Sequence, residues 1–321
     1  MVWLGLVLCG GCVTPPGRWS EPGDHRGELL HQGRFRELLL HVPAAALEGH
    51  PLPLLVALHG GGGSAGSMGR TTGFDALADR ASFLVVYPEG LDGYWNDGRE
   101  GPPAAEPAAP RPEVDDVGFL RAVVDAVAAR LPVDRRRVYA TGVSNGGGMC
   151  YRLGVEAADV FAAVAPVIAS MPAPLHARAR AALPAPPLPI LVIAGTEDPL
   201  VPWEGGELLV GERSAGQVVS IPETVAYWAA RNECQVSWIE GQDHEPDDET
   251  ALRIERWEGG RAPVVLMAVV GGGHTWPGGG WVFEQVFQGS LGRESEELDA
   301  AVEVWGFLRE HRLGSEKTRA D

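Results

Sequence analysis

Six short apolar runs limit what this chain can fold into. They are Leu54-Leu55-Val56-Ala57-Leu58, Phe83-Leu84-Val85-Val86-Tyr87, Arg137-Val138-Tyr139-Ala140-Thr141, Ile190-Leu191-Val192-Ile193-Ala194, and residues 161–168 and 263–270. All fall far short of the ~18 apolar residues that span a bilayer. Continuous rather than alternating hydrophobicity predicts strands buried on both faces, as in a parallel sheet. Residues 34–42 add a first strand, stopped by Pro43.

Helical patterns lie between the runs. Residues 69–81 have helical spacing around Phe74, Leu77 and Ala78. Asp115 and Asp116 can cap a helix that carries Val117, Leu120, Val123, Val124, Val127 and Leu131 on one face. Ser220 and Glu223 have capping-box spacing before Val225, Trp228 and Ala229. A last helix presents Leu298, Ala301, Val302, Trp305 and Leu308. Strands alternating with helices predict an α/β fold: a mostly parallel central sheet with helices on both faces, in three layers.

Glycine-rich loops follow these strands, at the end where open α/β sheets place their sites. The sharpest is Gly142-Val143-Ser144-Asn145-Gly146-Gly147-Gly148, between a strand and a helix. A Ser flanked by Gly at both second neighbours is the pattern of a nucleophile elbow, a strained turn that side chains at Gly142 or Gly146 would block. The turn lifts the Ser144 hydroxyl above the sheet. It aims the Asn145 N–H and the helix N-terminus at a developing oxyanion. Glycine is abundant, 43 of 321 residues, so an idle Ser on a Gly-rich turn is the plain alternative.

The other loops decide between these readings. Acyl transfer needs a nucleophile, a base, an acid that orients the base, and oxyanion donors. Here a His-Gly-rich loop for oxyanion donors, His59-Gly60-Gly61, is followed along the chain by Ser144 as nucleophile, Asp198 as acid and His274 as base, each just past a predicted strand. Asp198 could instead only cap the turn at Pro199, and Glu197 is its rival as the acid. Of the nine His residues, His274 alone follows a late strand on a Gly-rich loop. His59 is expected to anchor its own loop. Gly61 is expected to pair its N–H with that of Asn145. His59, Trp95 and Trp276 are expected at the substrate pocket, with core packing the alternative for Trp95.

Five stretches carry a family resemblance: Leu58-His59-Gly60-Gly61-Gly62-Gly63, Asp115-Asp116-Val117-Gly118-Phe119, Gly142-Val143-Ser144-Asn145-Gly146-Gly147, Gly195-Thr196-Glu197-Asp198, and Gly272-Gly273-His274-Thr275-Trp276-Pro277-Gly278. In this order, over residues 27–312, they resemble the polyhydroxybutyrate depolymerase-like esterases, which are close to the feruloyl and acetylxylan esterases of carbohydrate esterase family one. The resemblance implies an α/β-hydrolase with Ser144 as nucleophile, Asp198 as acid and His274 as base, needing neither metal nor cofactor. It implies ester substrates: small hydroxyalkanoate oligomers, or alternatively feruloyl or acetyl groups on plant polysaccharide. A peptidase and a non-catalytic ligand-binding lipoprotein are the rival readings on this scaffold.

Composition bounds the rest. A net charge of −17, with no basic run, excludes nucleic acid as an expected partner. Residues 1–12 combine a short apolar run with Gly10-Gly11-Cys12 and resemble a lipoprotein signal that would lipidate Cys12, giving a secreted or membrane-anchored protein. Residues 13–27 read as a tether, 28–312 as one catalytic domain and 313–321 as a flexible tail; a monomer is expected. Cys150 reads as a small buried hydrophobe, and whether it is free or bridged to Cys234 stays open. Relatives often place a Cys shortly before the base His; residues 256–260 offer none.

Overall fold

Leu54, Val56 and Leu58 pack into one hydrophobic cluster, while Leu55 and Ala57 pack into another on the opposite side of the sheet. That alternation is why the run is apolar throughout: both faces of its strand are covered. The protein is seen in a computed structural model, which describes residues 19, 21–100, 112–210, 213–242, 248–279 and 291–314.

The strands are β1 (Gly23–His31), β2 (Arg34–Val42), β3 (Leu52–Leu58), β4 (Leu84–Pro88), β5 (Val133–Val143), β6 (Ala163–Val167), β7 (Ile190–Gly195), β8 (Gly206–Val210), β9 (Arg213–Val218), β10 (Val236–Gln242), β11 (Ala251–Glu258) and β12 (Val264–Val270). Ten of them form one sheet in the order β1-β2-β4-β3-β5-β6-β7-β12-β11-β10. From β4 to β12 the neighbours run parallel. The β1–β2 pair and the β11–β10 pair border that centre antiparallel.

The helices are α1 (Ala65–Thr72), α2 (Phe74–Ala81), α3 (Asp116–Ala128), α4 (Asn145–Glu156), α5 (Ala173–Ala181), α6 (Ile221–Arg231) and α7 (Ala300–Leu308). One face is covered by Phe119 and Val123 of α3, Met149 of α4, and Val225 and Trp228 of α6. The other is covered by Met68 of α1, Phe74 of α2, and Val304 and Trp305 of α7. This is the three-layer α/β-hydrolase architecture. The single helical segment expected over 69–81 is two helices, because Gly73 takes a left-handed φ of 64° and caps the first.

The N-terminal boundary differs from expectation. Residues 23–27, read as tether, belong to β1, and Trp19 is buried against Gly27. The tight turn Gln32-Gly33, both at positive φ (47° and 73°), joins β1 to β2 as a hairpin. Polar residues dominate β1 because an edge strand with one solvated face needs few apolar ones. At the other end Leu313 donates its N–H to Arg136. The expected signal segment with Cys12 and most of the expected tail lie outside the described residues.

Candidate active site

β5 ends at Val143 and α4 begins at Asn145, so Ser144 alone makes the turn. Its φ of 55° and ψ of −116° are strained for any residue with a side chain, at a cost of about 1–3 kcal/mol. The surroundings hold it there. A β-carbon at Gly142 would lie 2.5 Å from the Gly146 carbonyl, and one at Gly146 would collide with the carbonyls of Leu58 and His59. The Ser144 N–H donates to Val167 (3.0 Å), and its carbonyl accepts from Gly148 (2.8 Å).

Asp198 and His274 come from the loops after β7 and β12, which are adjacent and parallel. Gly195 lets these loops touch: a β-carbon there would meet the carbonyls of Gly272 and Gly273. His274 donates its Nδ1–H to Asp198 Oδ2 at 2.7 Å. Asp198 Oδ1 accepts from the N–H groups of Leu200 and Val201, both at 2.8 Å. Asp198 therefore both shapes its turn and orients the imidazole. His274 is 1% exposed, and its own N–H donates to Leu291 at 2.6 Å. The rival acid Glu197 pairs instead with Arg293 at the surface, at 2.7 Å. Among the described residues no hydrogen bond joins the Ser144 hydroxyl to His274 Nε2.

Two amides flank Ser144. Those of Gly61 and Asn145 donate to no acceptor among the described residues. Gly61 lies under the Tyr94 ring, so close that a β-carbon would be 2.7 Å from it. The Asn145 side chain is turned away: Oδ1 accepts from the Trp95 N–H (2.8 Å), and Nδ2 donates to the Trp95 carbonyl (3.1 Å) and to Asp97 (2.8 Å). His59 donates Nδ1–H to the Gly60 carbonyl and accepts the Gly90 N–H at Nε2 (2.9 Å). Burial lowers its pKa to about 4, so it stays neutral and anchors its loop.

A small cleft of about 60 Å³ opens beside Ser144, with Gly61, Tyr94, Asp97, Arg99 and Asn145 on its polar side. Val201, Leu208 and Val218 make an apolar wall. The expected pocket residues are elsewhere. Trp95 is 3% exposed and donates its indole N–H to His59 (2.9 Å); Trp276 is 3% exposed and packs edge-on against Phe74. With His59 they support the loops from behind instead of lining the cleft. The wall residues Leu208 and Val218 ride on the two-stranded β8–β9 ribbon, whose sequence has no strong strand period.

The loop 94–97 is fixed from below. Asp116 accepts the Asn96 N–H (2.7 Å) and the Arg36 guanidinium (2.8 Å), and both charged side chains are almost fully buried. Burial raises the Asp116 pKa, and Arg36 opposes the rise. Arg36 also lies over the Phe119 ring, 3.9 Å from its centroid. Cys150 and Cys234 are both free, which closes the question of a bridge between them. The one grouping of metal-ligand type among the described residues, Asp24, His41 and Asp75, is elsewhere. His41 faces Val85 near the start of β4, at the opposite end of the strands from Ser144.

A three-layer sheet with a strained Ser after its fifth strand, and a buried Asp–His pair at the same edge, defines a serine hydrolase of the α/β-hydrolase fold. Known proteins narrow the class. Residues 37–180 match the family described as Esterase PHB depolymerase. The chain is 36% identical over 287 residues to "Putative esterase NocK" of Nocardia uniformis subsp. tsuyamanensis, covering 86% of this chain and 80% of that protein. It is 31% identical to feruloyl esterase B of Piromyces equi, covering 78% of this chain but only 45% of that longer protein. In fold it resembles the acetyl xylan esterase of Aspergillus awamori (TM-score 0.56, 14% identity, 78% of this chain and 94% of that one). It also resembles the native structure of pOPH (TM-score 0.55, 19% identity, 94% and 91%). The chain belongs to the polyhydroxybutyrate depolymerase-like esterases, and it is a serine esterase.

Proposed function

We propose that Ser144 attacks the carbonyl carbon of a small soluble ester, while His274 takes its proton at Nε2 and returns it to the leaving alcohol. Asp198 holds the imidazole with its Nδ1 protonated and stabilises the imidazolium. The N–H groups of Gly61 and Asn145 receive the oxyanion. Water, activated by His274, then frees Ser144 from the acyl-enzyme. The observation that supports this most is the 2.7 Å Asp198–His274 hydrogen bond at the sheet edge that carries the strained Ser144. The Ser–His hydrogen bond forms as substrate closes the site, since such bonds commonly tighten only in the loaded enzyme.

The substrates proposed are short hydroxyalkanoate oligomers, in keeping with a compact cleft that has one apolar wall and one polar side. Acylation by a fluorophosphonate tests the reading: wild type labels and Ser144→Ala does not, and an unlabelled wild type would overturn it. Hydroxybutyrate oligomers compared with methyl ferulate and acetylated xylan test the substrate class. The protein is further proposed to act outside the cytoplasm as a monomer, held to a membrane through a lipidated Cys12. Membrane fractionation of wild type against Cys12→Ser tests the anchor.

A further inference from the structure

An acid lies where this chemistry least tolerates one. Asp97 is 4% exposed and sits against the first turn of α4, so near that a β-carbon at Gly148 would be 2.7 Å from Oδ2. The N-terminus of α4 carries the positive end of the helix dipole, and a carboxylate beside it offsets the field that would favour an oxyanion. Yet Asp97 also does something useful: it accepts from Asn145 Nδ2 at 2.8 Å and so helps to fix Asn145, which lines the cleft next to Ser144.

Arg99 resolves the conflict. Its Nε lies 2.9 Å from Asp97 Oδ1 and 2.7 Å from Oδ2, with only 9% of the side chain exposed. Its Nη1 donates to the Ala215 carbonyl of β9 at 3.0 Å. One chain of contacts thus runs from Asn145 through Asp97 and Arg99 to the ribbon that carries the cleft wall. We propose that Asp97 and Arg99 are a charge-cancelled positioning pair: Asp97 holds Asn145, and Arg99 removes the carboxylate's field from the oxyanion site while tethering β9.

The inference rests on the ester-hydrolase reading and predicts an asymmetry set by charge. In Arg99→Gln the buried Asp97 is left negative beside the α4 N-terminus, and kcat for 4-nitrophenyl butyrate falls about 100-fold. Asp97→Asn retains an acceptor for Asn145 and leaves a net positive charge, so kcat falls about fivefold or less. The double variant recovers about tenfold over Arg99→Gln alone, because two neighbours that cancel one another do not act additively. Thermal melts accompany each assay. A merely structural role predicts similar losses in both single variants and no recovery in the double, and that result overturns the inference while wild-type turnover upholds the esterase reading. Absence of wild-type turnover overturns both. If Arg99→Gln does not fold, Arg99→Lys decides: kcat within about threefold supports charge cancellation, and a loss above about 30-fold in a folded Arg99→Lys overturns it.

Discussion

The Asp198 carboxylate divides its oxygens between two tasks, one holding backbone amides and one holding His274. Asp198→Asn keeps much of the turn but presents the wrong partner to the imidazole, so kcat should fall about 10⁴-fold, as in serine proteases. Glu197→Gln breaks only a surface pair and should leave kcat unchanged within about twofold. Steady-state kinetics on one nitrophenyl ester decides both. His59 makes a different prediction. Its folded pKa, about 4, lies below the ordinary 6.5, so the unfolded chain binds the proton first. Stability should therefore fall as pH drops from 6.5 to 4, by up to about 3 kcal/mol. Chemical denaturation at both pH values should show a smaller fall in His59→Gln. Ser144, Asp198 and His274 were legible in the sequence because each follows an apolar run at a glycine-rich turn. Asp97, Arg99 and Tyr94 were not legible as cleft residues, since an irregular loop has no period to say which side chains it turns inward.

Elements transmit the site's geometry through their glycines and through buried ion pairs, Arg36–Asp116 among them. Gly146 brings α4 against the carbonyls that end β3, so Gly146→Ala must push the nucleophile turn away from the Gly61 loop. Fluorophosphonate labelling of that variant should slow at least about 100-fold, an oxyanion-scale loss. Asp116→Ala strands the Arg36 guanidinium and frees Asn96, which should destabilise the fold by about 3–5 kcal/mol in denaturant melts. The Asp115–Asp116 pair read from sequence as a helix cap is half of the truth. Asp115 caps α3 by accepting the Gly118 N–H (2.8 Å), whereas Asp116 reaches across to β2. Nothing in local spacing links residue 116 to residue 36. The same limit hid β10, β11 and the β8–β9 ribbon: strands that bury only some of their side chains, such as Leu252 and Ile254 of β11, lack the continuous apolar runs that marked the central ones.

Across the whole molecule, the border hairpin is tied down electrostatically. His41 donates to Asp24 of β1 (2.6 Å) and to Asp79 of α2 (3.1 Å), with Asp75 nearby accepting the Tyr87 hydroxyl. Burial lowers the His41 pKa, but these carboxylates outweigh it and raise the pKa above 6.5. The stability this gives is fully present below pH 6.5 and is lost as pH rises through the raised value. Asp24→Asn should therefore lower the melting temperature more at pH 6 than at pH 9, as calorimetry at the two values would show. The β8–β9 ribbon stands in a different relation to the sheet, sharing no ladder with it. Among the described residues its anchors near the site include the Arg99–Ala215 bond, the Val219 N–H on Met171, the Ser170 hydroxyl on the Val219 carbonyl, a bridge from Pro172 to Val218, and Val201 packed against Leu208 and Ala215. Diversification can therefore work on this appendage alone. An insertion or exchange there would reshape the apolar wall of the cleft and leave the strand ends and glycines that hold Ser144, Asp198 and His274 as they were.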